Sequence, residues 1–145
     1  MKKEPLFSYN PESGEASCLI EDKDGNIIYG IAKCHPDDMD MASEKTGCDF
    51  AYRRAYVKVL QAYKKELKTE LRALNQLYYS MNRSKHFNPK SYENKMLQRQ
   101  IRQKQEDINY VNDSIENSKK ELRYIIKEKD KFYQGIRKYR NEAKN

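Results

Sequence analysis

The side chains best suited to chemistry are Cys18, Cys34, Cys48 and His35, together with the acids Asp37, Asp38 and Asp40. Thiolates and imidazoles ligate metals or attack carbonyls, and clustered carboxylates hold cations or move protons. The spacing opposes each use. A zinc site needs four ligands close in sequence, and CxxC and HxxxH pairs are missing. Adjacent Cys34 and His35 would point to opposite faces of a strand, which makes them a poor chelate. A Cys–His nucleophile lacks an accompanying glycine-rich oxyanion segment. The run Asp37-Asp38-Met39-Asp40 lacks the spacing of a calcium loop, and helix capping or solvated charge explains it more cheaply. No glycine loop for phosphate is present either. The expectation is a non-enzymatic protein without metal or cofactor, its cysteines small buried groups and its histidine a turn residue.

These residues sit in a short head. Residues 1–16 carry Pro5, Pro11 and Gly14 and read as an irregular leader. Ser17–Glu21 and Ile27–Cys34 are β-prone runs around the turn cluster Asp22-Lys23-Asp24-Gly25-Asn26, which together make a β-hairpin. Ile27, Tyr29 and Ile31 share one face of the second run, and Ile28 and Ala32 the other. His35-Pro36 ends the strand, and residues 17–49 form the head and its closing turn. Ser43 or Thr46 caps the helix that follows, and Gly47 permits close packing or a bend.

The remainder, residues 50–145, reads as a long antiparallel helical hairpin. Leu60, Leu67, Leu71, Leu74, Tyr78 and Met81 lie on one stripe. A second stripe runs Leu97, Ile101, Ile108, Val111, Ile115, Leu122, Ile125, Phe132, Ile136 and Tyr139. Steps of three and four keep such a stripe against a partner helix, as in a coiled coil. The break falls at residues 86–91, where Asn88-Pro89 is turn chemistry and Ser91 a candidate N-cap. A helix of about 50 residues spans roughly 75 Å. Lys64, Lys104, Ser118 and Lys129 interrupt the apolar seam and would specify register or oligomeric state. The short break favours closure within one chain, with a homodimer as the further option. The fold class is therefore mainly α, with a small β-hairpin head.

Charge is uneven. Residues 1–49 carry 5 basic and 11 acidic side chains, residues 50–82 carry 7 and 2, and residues 83–145 carry 17 and 9. An acidic head thus precedes a basic stalk, which would attract polyanions or acidic protein surfaces in a salt-dependent way. Solvation of exposed helix faces is the competing explanation of the same residues. Three cysteines without a secretory signal point to reduced thiols in a cytoplasm. No stretch has the length of a membrane span.

The segment Gly30-Ile31-Ala32-Lys33-Cys34-His35-Pro36-Asp37-Asp38, followed by Gly47, Ala51 and Arg53-Arg54-Ala55, carries a G-x-A-x-C-x-P-x-D strand-to-helix pattern. It resembles small uncharacterised proteins of phages and mobile elements of Gram-positive bacteria, over roughly residues 18–60. Its β-β-α order also resembles a double-stranded-RNA-binding-like domain. The resemblance implies a role in disabling host immunity, CRISPR nucleases included, or in binding nucleic acid during the phage cycle. Physically, Gly30 and Gly47 would allow close strand–helix approach, Ala51 and Ala55 a flat helix face, and Arg53 and Arg54 would point outward toward a partner.

The leading expectation is an anti-CRISPR-like inhibitor in the bacterial host cytoplasm. It would bind a host nuclease, or a nuclease–nucleic acid complex, and block substrate access or domain movement. The alternative is direct binding of DNA or RNA by the basic hairpin. Both readings use Arg53, Arg54, Arg99, Arg102, Lys119, Lys120 and Arg123 as partner-binding residues. A structural coiled coil, its charge serving solubility, is the third.

Overall fold

The computed structural model describes residues 4–34, 43–83, 88 and 90–144. His35 to Asp40 and the His86, Phe87 and Pro89 portion of the break, read above as turns, lie outside the described residues. The elements are β1 (Leu6–Asn10), β2 (Glu15–Glu21), β3 (Ile27–Lys33), α1 (Glu44–Asn82) and α2 (Tyr92–Lys144). The chain is mainly α with a small β head, as its residue pattern implies. It divides into two compact units, one holding the sheet with residues up to Val59 and from Glu116 onward, the other Leu60–Ile115.

In the first unit the strands form an antiparallel sheet in the order β1-β2-β3. The leader expected to be irregular therefore supplies a strand. Pro5, Pro11 and Gly14, which suggested irregularity, bound that strand and its turn. Asn10 Oδ1 accepts the Glu12 amide at 2.9 Å. Gly14, at φ 69°, returns its own amide to Asn10 O at 2.8 Å. The β2–β3 turn is the expected one. The Asp22 carboxylate accepts the amides of Asp24 and Asn26 at 2.9 and 2.8 Å, and Gly25 takes φ 83°.

One face of the sheet packs on the start of α1. Ala16, Cys18, Ala32 and Ala51 make the core, with Tyr9, Ile20, Cys48 and Phe50 against it. The small residues set the spacing. A Cβ on Gly30 would fall 2.2 Å from Ala51 O and 2.5 Å from Ala55 N, both backbone atoms. A Cβ on Gly47 would stand 3.0 Å from the Ala16 Cβ. Helix α1 starts at Glu44, at the earlier of the two expected caps: Ser43 Oγ accepts the Thr46 amide at 3.3 Å. Gly47 lies in its first turns, where a side chain would press tightly on Ala16.

The second unit is an antiparallel helical hairpin. Leu67, Ile108, Val111 and Ile115 are its buried core, flanked by Leu60, Tyr63 and Leu71. Removing a leucine side chain from water is worth about 1.5–3 kcal/mol, so Leu67, 2 % exposed, is the main apolar contribution from α1. Ser91 caps α2, its hydroxyl accepting the Asn94 amide at 3.2 Å. Buried Asn94 in turn donates from Nδ2 to Asn88 O at 2.7 Å, tying the helix start to the break. Lys104 interrupts the seam as expected, and its ammonium is paired with the Glu70 carboxylate.

The seam stops short of the expected end of α2. Phe132 and Tyr139 are 64 % and 73 % exposed. In the first unit Ser43 and Thr46 share a cleft with Ile125, Lys129 and Phe132, so these α2 residues lie beside the very start of α1. No described helix is long and apolar enough to cross a membrane.

Two stability outcomes follow from this packing. Gly30→Ala should cost about 3 kcal/mol or more, because backbone of both elements must separate. Leu67→Ala should cost about 2–5 kcal/mol, whereas Leu77→Ala, at a position 53 % exposed, should cost well under 1 kcal/mol. Urea titrations followed by far-ultraviolet circular dichroism measure all three. Equal midpoints for the two leucine variants would contradict the assignment of the seam.

Candidate functional site

The seven cations singled out in the sequence separate into three groups. Arg53 and Arg54, expected to stand free, are both occupied. Arg53 donates from Nε to Asp49 at 3.1 Å and from a terminal nitrogen to Glu121 at 2.8 Å, joining α1 to α2. The hydrogen bond it donates to Glu121 raises its guanidinium above the ordinary pKa. Arg54 donates to Ile31 O at 2.7 Å. One turn later Lys58 donates to Tyr29 O at 2.8 Å and lies 4.8 Å over the Tyr29 ring. The correction has a simple cause. β3 is an edge strand with outward carbonyls, and the cations of α1 reach them because Gly30 brings the helix so close.

Lys119 is half-buried, so it too is a weaker partner residue than expected. Arg99, Arg102, Lys120 and Arg123 are exposed and form no ion pair among the described residues. In the Leu60–Ile115 unit, Lys95, Arg99 and Arg102 follow one another at helical spacing, one exposed basic patch. Glu106 and Asp113 continue the same phase and end it.

In the sheet-bearing unit the patch is more continuous. Lys120, Tyr124, Lys127 and Lys131 stand at i, i+4, i+7 and i+11, with Arg123 beside them. Tyr124 is 66 % exposed. Among the described residues, Lys131 is the one cation there with an ionic neighbour, Glu128 at 3.5 Å. Tyr124 and Lys127 were not singled out in the sequence. Their signal was available in the 3.6-residue period, which places them one and two turns after Lys120.

Beside this stripe Lys129 turns inward. It donates to Thr46 Oγ1 at 2.7 Å and lies 5.2 Å over the Phe50 ring. Burial pulls its pKa down, partly opposed by the Asp49 carboxylate. Two clefts flank it. One, of about 760 Å³, is lined by Phe7, Cys48, Asp49 and Tyr52 among others. The second, of about 510 Å³, lies between Tyr124 and Phe132. A half-buried ammonium between two open clefts can hold an anionic group, though its immediate partners are a hydroxyl and an aromatic ring.

The cysteines are free thiols. Burial pushes Cys18 up from its ordinary pKa, with Cys48 adding to the effect. Burial also pushes Cys48 up, helped by Glu44. Thiolate, the nucleophilic and metal-binding form, is thereby suppressed. Among the described residues no group of His, Cys, Asp and Glu could hold a metal ion. The acids Asp37, Asp38 and Asp40 and His35 lie outside that set.

No protein family, curated protein or solved structure matches this chain.

Raised thiol pKa values have a direct readout. Because less thiolate exists at any given pH, Cys18 and Cys48 should alkylate more slowly at pH 8 than an unperturbed thiol. Their rates should keep rising with pH beyond the point where a free-cysteine peptide levels off. Iodoacetamide labelling resolved by peptide mass spectrometry gives each rate. Fast labelling of Cys48 near neutral pH would return it to consideration as a nucleophile.

Proposed function

We propose that this chain works by binding and that its ligand is nucleic acid, met by the outward basic face of α2. The observation that carries the reading is the stripe of Lys120, Arg123, Tyr124 and Lys127, exposed and without an ion pair among the described residues. Solvated, unpaired cations release counterions when they meet phosphates, which is the main sequence-independent source of affinity. An exposed tyrosine ring among them supplies a surface for an unstacked base. Arg99 and Arg102, with Lys95, add a second patch of the same chemistry. Catalysis is not part of the reading.

A second reading keeps a protein as the partner, an anti-CRISPR-like inhibitor of a host nuclease acting in the bacterial cytoplasm. A separate observation favours it. The face of the sheet turned away from α1 carries Leu6, Leu19 and Tyr29 in one cross-strand row, with Ile27 and Ile31 beside them, all exposed. Contiguous apolar surface of that kind suits a protein interface. The sequence resemblance puts this reading first, whereas the arrangement of free cations favours direct nucleic-acid binding.

Fluorescence anisotropy with labelled single-stranded and duplex oligonucleotides tests the first reading. Lys120→Glu, Arg123→Glu and Lys127→Glu should each weaken binding and each lower the slope of log affinity against log salt by about 1. Arg54→Glu should leave that slope alone, since its guanidinium serves the β3 edge. If the wild-type chain shows no salt-dependent binding, direct recognition is excluded. A nuclease retained from bacterial lysate after nucleic-acid digestion would then favour the second reading.

A further inference from the structure

The two edges of the sheet are treated differently. On β3 the outward carbonyls of Tyr29 and Ile31 are taken by Lys58 and Arg54. Since Tyr29 and Ile31 turn outward, Ile28, Gly30 and Ala32 bond to β2 through Ile20, Cys18 and Ala16. The bond from the Cys34 amide to Gly14 O, at 3.2 Å, continues the same alternation. Ser17 and Leu19 of β2 therefore face β1, where they meet Ser8 and Leu6. The amide and carbonyl groups of Phe7 and Tyr9 are left on the outer edge, and no described residue bonds to them.

This edge has few of the usual guards. β1 reads Leu-Phe-Ser-Tyr-Asn and contains no charge, no internal proline and no bulge. Leu6 on one face and Phe7 on the other are 67 % and 50 % exposed, so both faces of the strand have apolar surface to cover.

We infer that β1 pairs antiparallel with β1 of a second copy of this chain, making one continuous six-stranded sheet. The prolines select the register. Residues 5, 7, 9 and 11 share the outward phase, and Pro5 and Pro11 have no amide to give. The register that sets Phe7 opposite the second copy's Tyr9 keeps every outward amide and its acceptor inside β1, clear of both prolines, and closes two complete bonded pairs related by a twofold axis. The phenyl and phenol rings then lie across from each other on the helix side. Ser8 falls on the axis, opposite its own copy, at a non-bonded position where side chains come closest. An uncharged strand meets itself there without like-charge repulsion. The same two prolines restrict the contact to this short segment, so pairing closes at two chains.

Sedimentation of the full chain tests the interface through Ser8, which is exposed and outside the core. The wild type should sediment as a dimer at high concentration. Ser8→Lys and Ser8→Glu should each halve the mass while keeping the circular dichroism of the wild type. Mixing the two variants should restore the dimer, because opposite charges now meet on the axis. A monomeric wild type, a dimeric Ser8→Lys variant or a mixture that stays monomeric would each overturn the proposal. A misfolded variant would show in its circular dichroism, and restoration on mixing distinguishes pairing from loss of structure.

Discussion

The sheet-bearing unit depends on a backbone contact. β3 approaches α1 so closely at Gly30 that a single methyl would overlap the Ala51 carbonyl and the Ala55 amide. Everything near that contact is small: Ala16, Cys18, Ala32, Ala51 and Ala55. A core of alanines excludes little apolar area per residue, so its stability rests on dense contact between rigid elements more than on bulky side chains. The same closeness fixes the use of nearby charge. Arg54 and Lys58 are brought within reach of carbonyls that a longer separation would leave to water. Edge protection and strand–helix docking are in this way consequences of one glycine.

That constraint also separates structural cations from free ones. Arg53 spans two carboxylates, Arg54 and Lys58 close the edge of β3, Lys104 meets Glu70, and Lys129 is drawn under Phe50 and Thr46. Each is a basic residue on a helix face turned toward the rest of its own unit. Those on the opposite face of α2 keep their hydration shells, and the net basic charge available to a ligand comes from them. A count of charges along the chain does not make this distinction, because it weighs Arg54 and Arg123 alike.

Features encoded by local spacing were legible in the sequence. The β2–β3 turn follows from an aspartate followed by Gly25 and Asn26. The caps follow from Ser43 and Ser91, and the hairpin core from Leu67, Ile108, Val111 and Ile115 at three- and four-residue steps. Close approach at Gly30 and Gly47 was legible too, once small residues were taken as packing marks. Features that depend on distant partners were not. β1 was hidden because Pro5, Pro11 and Gly14 look alike whether they break structure or frame a short strand. The engagement of Arg53 was hidden because Glu121 lies 68 residues away. The end of the seam was hidden because the heptad pattern of α2 continues through Phe132 and Tyr139 although α1 has already begun at Glu44.

Those two exposed aromatics bear on what the pattern of α2 is for. An apolar residue at heptad spacing is ordinarily assigned to a core, yet Phe132 borders an open cleft with Tyr124 on its other side. Ser43 and Thr46, small polar residues at the start of α1, line the same cleft. Lys129 lines that cleft as well, its ammonium held by the Thr46 hydroxyl. Two aromatic side chains and an ammonium thus line one open cleft, together with the Glu128 carboxylate. The sequence pattern that builds the core elsewhere along α2 here lines an open cleft beside the start of the opposing helix.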